Sequence, residues 1–371
     1  MHPDLEASAR TVTGAPTPEA IFGALPSDTS QALRELTTAY RKLATMLHPD
    51  RYPDPADQAE ATRIFSRLNA LKAEAEQAIA AGTYGKPRSA AAPTPGPVYP
   101  LRVSTKTAEY VVTGLLAAGD IADIYFCEDP DVVLKVARSA GDNDLLANEA
   151  TVLGKLYPPA QPSVDYYRYL PKLLDSFMLR ARGGAPRKVN VLRRVPQHIS
   201  LVQIMAHFQD GLDYRDVAWM WKRCLSALGF IHHEGFVHGA VIPTNILVDP
   251  IGHGAKLLDW CYAVSPGNKV RAMIADAEEF YAPEIPGKRE VGPSTDIYMM
   301  TKCMVGLLGG DPASGALGAS VPAPIRRFAA GCMIMAPTRR PDDAWALQEE
   351  LDELLRQLVG KPQYRPLAIP V

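Results

Sequence analysis

A run of prolines divides this chain into two stretches whose apolar residues repeat with different periods, and that change limits the available folds more than any other feature. Residues 83–103, TYGKPRSAAAPTPGPVYPLRV, hold Pro87, Pro93, Pro95, Pro97 and Pro100 with few large apolar side chains before the end. Such a composition favours an extended, semi-rigid spacer over a packed element. It accounts for part of a high proline content, 33 of 371 residues, where about 5% is ordinary. A chain this long allows roughly two to three domains, and we place a boundary at the spacer. No internal repeat is visible on either side.

Before the spacer, Leu33, Leu36, Tyr40, Leu43 and Leu47 recur at steps of three and four, which predicts one apolar face of a helix. Asp28, Thr29 or Ser30 supplies its cap and Pro49 its stop. Ile64, Phe65, Leu68, Leu71, Ala75 and Ile79 form a second set that Gly82 ends. Two amphipathic helices joined by HPDRYPDPAD make an antiparallel hairpin.

This hairpin resembles a J domain, the module that stimulates DnaK-class chaperones. Ala39-Tyr40-Arg41-Lys42-Leu43-Ala44, the turn His48-Pro49-Asp50, then Phe65 and Leu68-Asn69 carry the resemblance, and Ala20–Leu25 stands where the family has a small first helix. The resemblance implies a J domain at 17–82 that engages a DnaK-class chaperone through His48, Pro49, Asp50, Arg41, Lys42 and Arg51. Arg34 adds to the positive charge, which suits an acidic partner surface. Thr37 and Thr38 replace lysines usual in the family, so the basic patch is thinner. His2-Pro3-Asp4 repeats the turn triplet with no helix before it and reads as coincidence.

After the spacer, AEYVVTGLL, DIYFCE and VVLKVA are short β-prone runs separated by turn signals, and a helical stretch follows at about 142–156. FMLRAR and KVNVLRRV flank the turn GGAPR, and beyond Ser200 the chain reads mainly as helices. The order is α+β, a small β-rich lobe before a larger helical one.

The motifs here resemble a protein kinase over about 104–358. Lys135 in VVLKVA resembles the strand lysine that contacts the nucleotide phosphates, and Glu149 its helix partner. His238-Gly239-Ala240-Val241-Ile242-Pro243-Thr244-Asn245 falls at the catalytic loop and Asp259-Trp260-Cys261 at the metal-binding triplet. Ala282-Pro283-Glu284, Asp296 and Arg340-Pro341 follow in family order. The implied fold is multidomain: an all-α J domain, a linker at 83–103, a kinase-like N-lobe at 104–194, a C-lobe at 195–358 and a tail at 359–371.

The departures govern the expected function. Where the family's loop carries arginine, aspartate and, two residues on, lysine, this chain has Gly239, Ala240 and Ile242. Alanine cannot accept the substrate proton and isoleucine cannot stabilise phosphoryl charge; losing a positioned base alone costs ~10²–10⁴ in rate. The glycine also removes the partner of a phosphorylated activation segment, and between Asp259 and Ala282 the only hydroxyl residues are Tyr262, Ser265 and Tyr281. The nucleotide side is better kept. Lys135, Glu149, Gly119, Asn245 and Asp259 are the implied cofactor residues, with Asn245 and Asp259 as metal ligands, for ATP with magnesium. The phosphate-covering loop retains Gly119 but has Ala117 and Ala122 in place of glycines. The alternative for the retained set is structural, an ion pair at Lys135 and Glu149 and a cap or turn former at Asp259. His232-His233 reads as a helix end rather than a metal site, and Trp219 and Trp221 as packing residues.

A net charge of −2 argues against nucleic acid as a partner. The absence of an 18-residue apolar stretch predicts a soluble, cytoplasmic chain with no membrane partner. Cys127, Cys224, Cys261, Cys303 and Cys332 are too widely spaced for a metal motif and read as reduced, mostly buried thiols. The expected function is a co-chaperone adaptor whose pseudokinase part binds a client or a nucleotide. The alternatives are an active Ser/Thr kinase or nucleotidyl transferase that uses another carboxylate, such as Asp276 or Asp249, and a non-catalytic docking protein. The tail, KPQYRPLAIPV, is either a docking strand or loose.

Overall fold

The apolar spacing before the spacer builds helices in the computed structural model, which describes residues 5, 11–12, 15, 17–47, 54–80, 82–85, 100–105, 108–157, 165–180, 184–361, 363–367 and 369. Helix α1 spans Glu19–Phe22, α2 Thr29–Leu47 and α3 Pro55–Ala80. Asp28 is the residue that caps α2, its Oδ1 accepting from Gln31 N at 2.8 Å. Leu36, Leu47, Ile64, Leu68, Leu71 and Ala75 are fully buried between the helices. Leu33 departs from the predicted face at 36% exposed, because Ala32 takes the inward place one turn before Leu36. Leu5, Val12 and Ala15 complete this core from the N-terminal side. Tyr40 ties α2 to α3 by donating to Asn69 Oδ1 at 2.7 Å, with the Lys72 ammonium 4.9 Å above its ring.

Compact units cover residues 1–98 and 99–371. The expected spacer, 83–103, is shorter than its composition suggests. Tyr84 donates to Gly23 O at 2.8 Å and packs on the helical core, so residues 83–85 belong to the first unit. At the other end Leu101–Ser104 forms a strand, β1, of the second.

The second unit opens with a six-stranded antiparallel sheet. Strands β2 (Glu109–Ala118), β3 (Ala122–Cys127), β4 (Val132–Ala137), β5 (Leu173–Leu179) and β6 (Arg187–Arg193) join β1 in the order β1-β2-β3-β4-β6-β5. The sheet curls: Tyr110 of β2 stacks on Phe177 of β5 with ring centroids 6.0 Å apart and donates to Asp175 Oδ2 at 3.1 Å. Val112, Leu134, Val136, Val189 and Val191 fill the curl. Helix α4 (Asn143–Leu156) is pinned at its start, where Asn143 donates to Pro186 O at 2.9 Å and accepts from Lys188 N at 2.6 Å.

Helices α5 (Leu201–His207), α6 (Tyr214–His233), α7 (Pro293–Leu307), α8 (Ala323–Cys332) and α9 (Ala344–Val359) make the larger part. The sequence reading missed a small sheet of β7 (Ile199–Ser200), just before α5, and β8 (Ile246–Val248) and β9 (Ala255–Leu257), between α6 and α7. These strands are too short for a period to register. The α6–α9 contact depends on Gly229, where an added Cβ would lie 2.4 Å from the Trp345 ring. All five cysteines are buried and free. Among the described residues no helix is long and apolar enough to cross a membrane.

Candidate functional site

Strand β4 is buried along its whole length, and Lys135 sits in its middle, paired in register with Ile124 of β3 and Asn190 of β6. On α4 the buried positions 145, 146, 149, 152, 153 and 156 form one stripe, so Glu149 points into the core. A carboxylate there must be paired. The Lys135 ammonium donates to Glu149 Oε1 at 2.9 Å, to Asp259 Oδ1 at 2.6 Å and to Cys261 Sγ at 3.2 Å. Glu149 Oε2 accepts from Asn190 Nδ2 at 2.8 Å, and Ser176 Oγ donates to Asn190 Oδ1 at 2.7 Å.

Asn190, Ser176 and Cys261 complete a polar network that the sequence reading did not assemble. The legible signal was a lone asparagine in the apolar run KVNVL. Burial opposes the charge on Lys135, but the attraction of Asp259 and Glu149 outweighs it and holds the ammonium well above the ordinary lysine range. Burial likewise works against the Asp259 carboxylate, and Lys135 overcomes it to hold that group below its usual range. Burial pushes the Cys261 thiol well up. Glu149, Asp259 and Cys261 hold ligand atoms within 4.8 Å of one another, the kind of cluster that could bind a metal. The cation they converge on here is the lysine.

The altered loop is packed as core. Ala240, Val241 and Ile242 are all 0% exposed. Gly239 has φ 74°, and an added Cβ would lie 2.9 Å from Tyr262 O and from Val270 Cγ2, so this backbone has no room for the arginine the family places here. Asp296 holds the loop from below, accepting from His238 N at 2.7 Å and Gly239 N at 2.9 Å. His238 Nδ1 takes the Ala240 N–H at 3.3 Å and Nε2 lies 3.0 Å from Leu258 O, a pattern that suits a neutral ring protonated on Nε2. Burial lowers its pKa accordingly. Asn245 donates Nδ2 to Ala240 O at 3.0 Å, which fixes the amide and leaves Oδ1 as its acceptor.

Asp259 is left-handed, φ 62° and ψ 69°, and its side chain caps nothing, so the cap alternative does not describe it. Its side chain is 18% exposed. Asn245 Oδ1 and Asp259 are hard oxygen donors of the kind magnesium takes, while the three N–H groups of the Lys135 ammonium are taken by Glu149, Asp259 and Cys261. Gly119 fits less well. Its N–H is spent on Ala122 O at 3.1 Å, closing the β2–β3 turn, and is not free for a phosphate. Farther down, Glu284 and Arg340 form a fully buried bidentate pair at 2.7 and 3.1 Å.

The remaining sequence candidates lie elsewhere. Asp249 accepts from Ile251 N and Gly252 N in the β8–β9 turn, so it is a turn former and not a base beside the loop. The side chain of Asp276 is outside the described residues, as are His48, Pro49, Asp50 and Arg51 and the side chain of Arg41; Lys42 is exposed. His232 Nε2 lies 3.0 Å from Asp296 Oδ2 at the end of α6. Trp221 packs edge-on against Phe328, and Trp219 stacks on His253 at 4.0 Å. The tail is docked: Arg365 pairs with both oxygens of Asp216, and Tyr364 donates to Ile251 O at 2.7 Å.

Residues 185–365 match the protein kinase domain family. The helical unit lies outside the matched range. Over 115 residues the chain is 27% identical to Serine/threonine-protein kinase PAK mbt of Drosophila melanogaster, covering 30% of this chain and 18% of that protein. Serine/threonine-protein kinase PAK 1 of Mus musculus is 27% identical over 103 residues, 27% of this chain and 19% of its own length. Serine/threonine-protein kinase CST20 of Candida albicans is 20% identical over 192 residues, 48% of this chain and 16% of its own. The chain thus spans less than a fifth of each of these relatives.

Proposed function

We propose that the kinase-like part binds ATP with magnesium through Lys135, Glu149, Asn245 and Asp259 but does not phosphorylate hydroxyl groups at a useful rate. The observation that carries this reading is a contrast between two parts of the kinase-like unit. The lysine and two carboxylates are brought together at hydrogen-bond distance, whereas the loop at 238–245 has Ala240 and Ile242, both fully buried. With no acceptor at position 240, transfer loses ~10²–10⁴ in rate. The helical hairpin at 17–82 supplies the output as a J-domain-like module that recruits a DnaK-class chaperone to a protein client held by the kinase-like part.

The kinship with serine/threonine kinases favours a second reading, an active kinase or nucleotidyl transferase with another group as base. Incubating the protein with labelled ATP, magnesium and a protein substrate separates the two. Label transfer that Asp259→Ala abolishes supports the enzyme and overturns the adaptor. ATP-dependent thermal stabilisation without transfer supports the adaptor. For the output, steady-state ATPase rates of a DnaK-class chaperone are compared with wild type and His48→Gln. Stimulation lost in the variant is expected, and equal rates would leave a docking protein with no chaperone function.

A further inference from the structure

The kinase-like part carries Gly239 where an arginine would answer a phosphorylated segment, yet segment 259–263 is held closely against α4. The hold comes from α4 itself. Asn148 Nδ2 donates to Cys261 O at 3.1 Å and to Ala263 O at 2.9 Å, and its neighbour Glu149 accepts from Trp260 N at 3.2 Å. Adjacent helix positions thereby engage three of four consecutive residues of the segment. An exposed pair, Arg271 with Asp144 at 3.5 Å, ties α4 to a later stretch of the chain and adds little. Inside the contact Trp260 is fully buried, its ring edge-on to His238 with centroids 4.6 Å apart.

We infer that Asn148 is a positioning residue, a latch that fixes segment 260–263 on α4 so that Lys135 meets Glu149 and Asp259 together with no modification of the segment. Two features favour an unmodified latch over a charge switch. Tyr262 and Tyr281 are buried at 2% and 3% exposed, which leaves Ser265 as the accessible hydroxyl of the segment. The space above Gly239, where an arginine would reach toward a phosphate, is filled by Tyr262 O and Val270. The carboxamide suits the role because it offers two donor hydrogens to two carbonyl oxygens. Aspartate at the same position would set a carboxylate against both carbonyls, a worse outcome than deletion to alanine. Glutamine keeps the donors on a longer arm.

The test uses the full chain without nucleotide, so it does not depend on the nucleotide-binding proposal. Amide hydrogen exchange of residues 260–264 is compared among wild type, Asn148→Ala, Asn148→Asp and Asn148→Gln, with the β4 and α6 amides as internal controls. Losing two hydrogen bonds should speed exchange in the segment about tenfold in Asn148→Ala and more in Asn148→Asp, with partial recovery in Asn148→Gln and unchanged controls. Unchanged segment exchange in the alanine and aspartate variants would overturn the latch, and so would acceleration spread evenly over the controls. ATP titration of the same variants is a second readout: affinity that falls in the order wild type, glutamine, alanine, aspartate supports positioning of the Lys135 cluster. Failure of wild type to bind ATP would count against the nucleotide reading alone, since the exchange pattern stands without it.

Discussion

Replacing Lys135 by methionine removes the one cation that two carboxylates share while keeping most of the side-chain volume. Glu149 is 1% exposed and cannot turn to water, although Asn190 Nδ2 and Trp260 N still bond it. Asp259, at 18% exposed, has a path to solvent. One carboxylate is therefore stranded rather than two, and the cost should fall at ~3–5 kcal/mol, the usual range for removing one partner of a buried ion pair. At ~2–4 °C per kcal/mol for a domain of this size, the melting temperature of the kinase-like unit should drop by roughly 6–20 °C. Scanning calorimetry of the full chain reads this, and a second variant gives the reason. Lys135→Met with Glu149→Gln leaves no orphaned charge on the helix and should recover at least ~1 kcal/mol relative to the sum of the single changes. A single variant that melts within about 2 °C of wild type, or a strictly additive double variant, would refute the account of Lys135 as a buried neutralising centre.

Gly239→Ala should cost roughly 2–4 kcal/mol, because left-handed backbone adds ~1–2 kcal/mol for a non-glycine residue and the new Cβ meets a carbonyl oxygen 2.9 Å away. A urea midpoint within error of wild type would show that the segment yields at no cost. His238, held below its ordinary 6.5 by burial, predicts an acid-side loss. The unfolded chain takes up a proton near pH 6.5 that the buried ring refuses, so stability should fall as pH drops through 6.5 and level off below the folded pKa. Urea midpoints at pH 7.5, 6.5 and 5.5 should slope less in His238→Gln than in wild type, and equal slopes would assign the effect to another group.

Lys135, Glu149, Asp259, Glu284 and Arg340 are readable in the sequence because their motifs follow one another in the order that the resemblance to a protein kinase implies. The helical hairpin is readable for another reason: a 3.6-residue period over five turns leaves little choice of face. Leu33 shows the limit, since a face drawn from spacing alone cannot tell which of two neighbours, Leu33 or Ala32, turns inward at a helix start. The docked tail was also out of reach, because it is held by residues more than a hundred positions away.

What the sequence determined by itself is therefore local: helix and strand periods, the missing acceptor at position 240 and the glycine at 239. Tertiary structure alone decided that Asn190 and Cys261 join the lysine and that Asn148 grips the segment. The physical reason is that side-chain hydrogen bonding and desolvation depend on which groups lie within about 3 Å. Contacts at that range between residues more than a hundred positions apart, such as Lys135 and Asp259 or Asn148 and Cys261, come into being when the sheet curls and α4 packs beneath it.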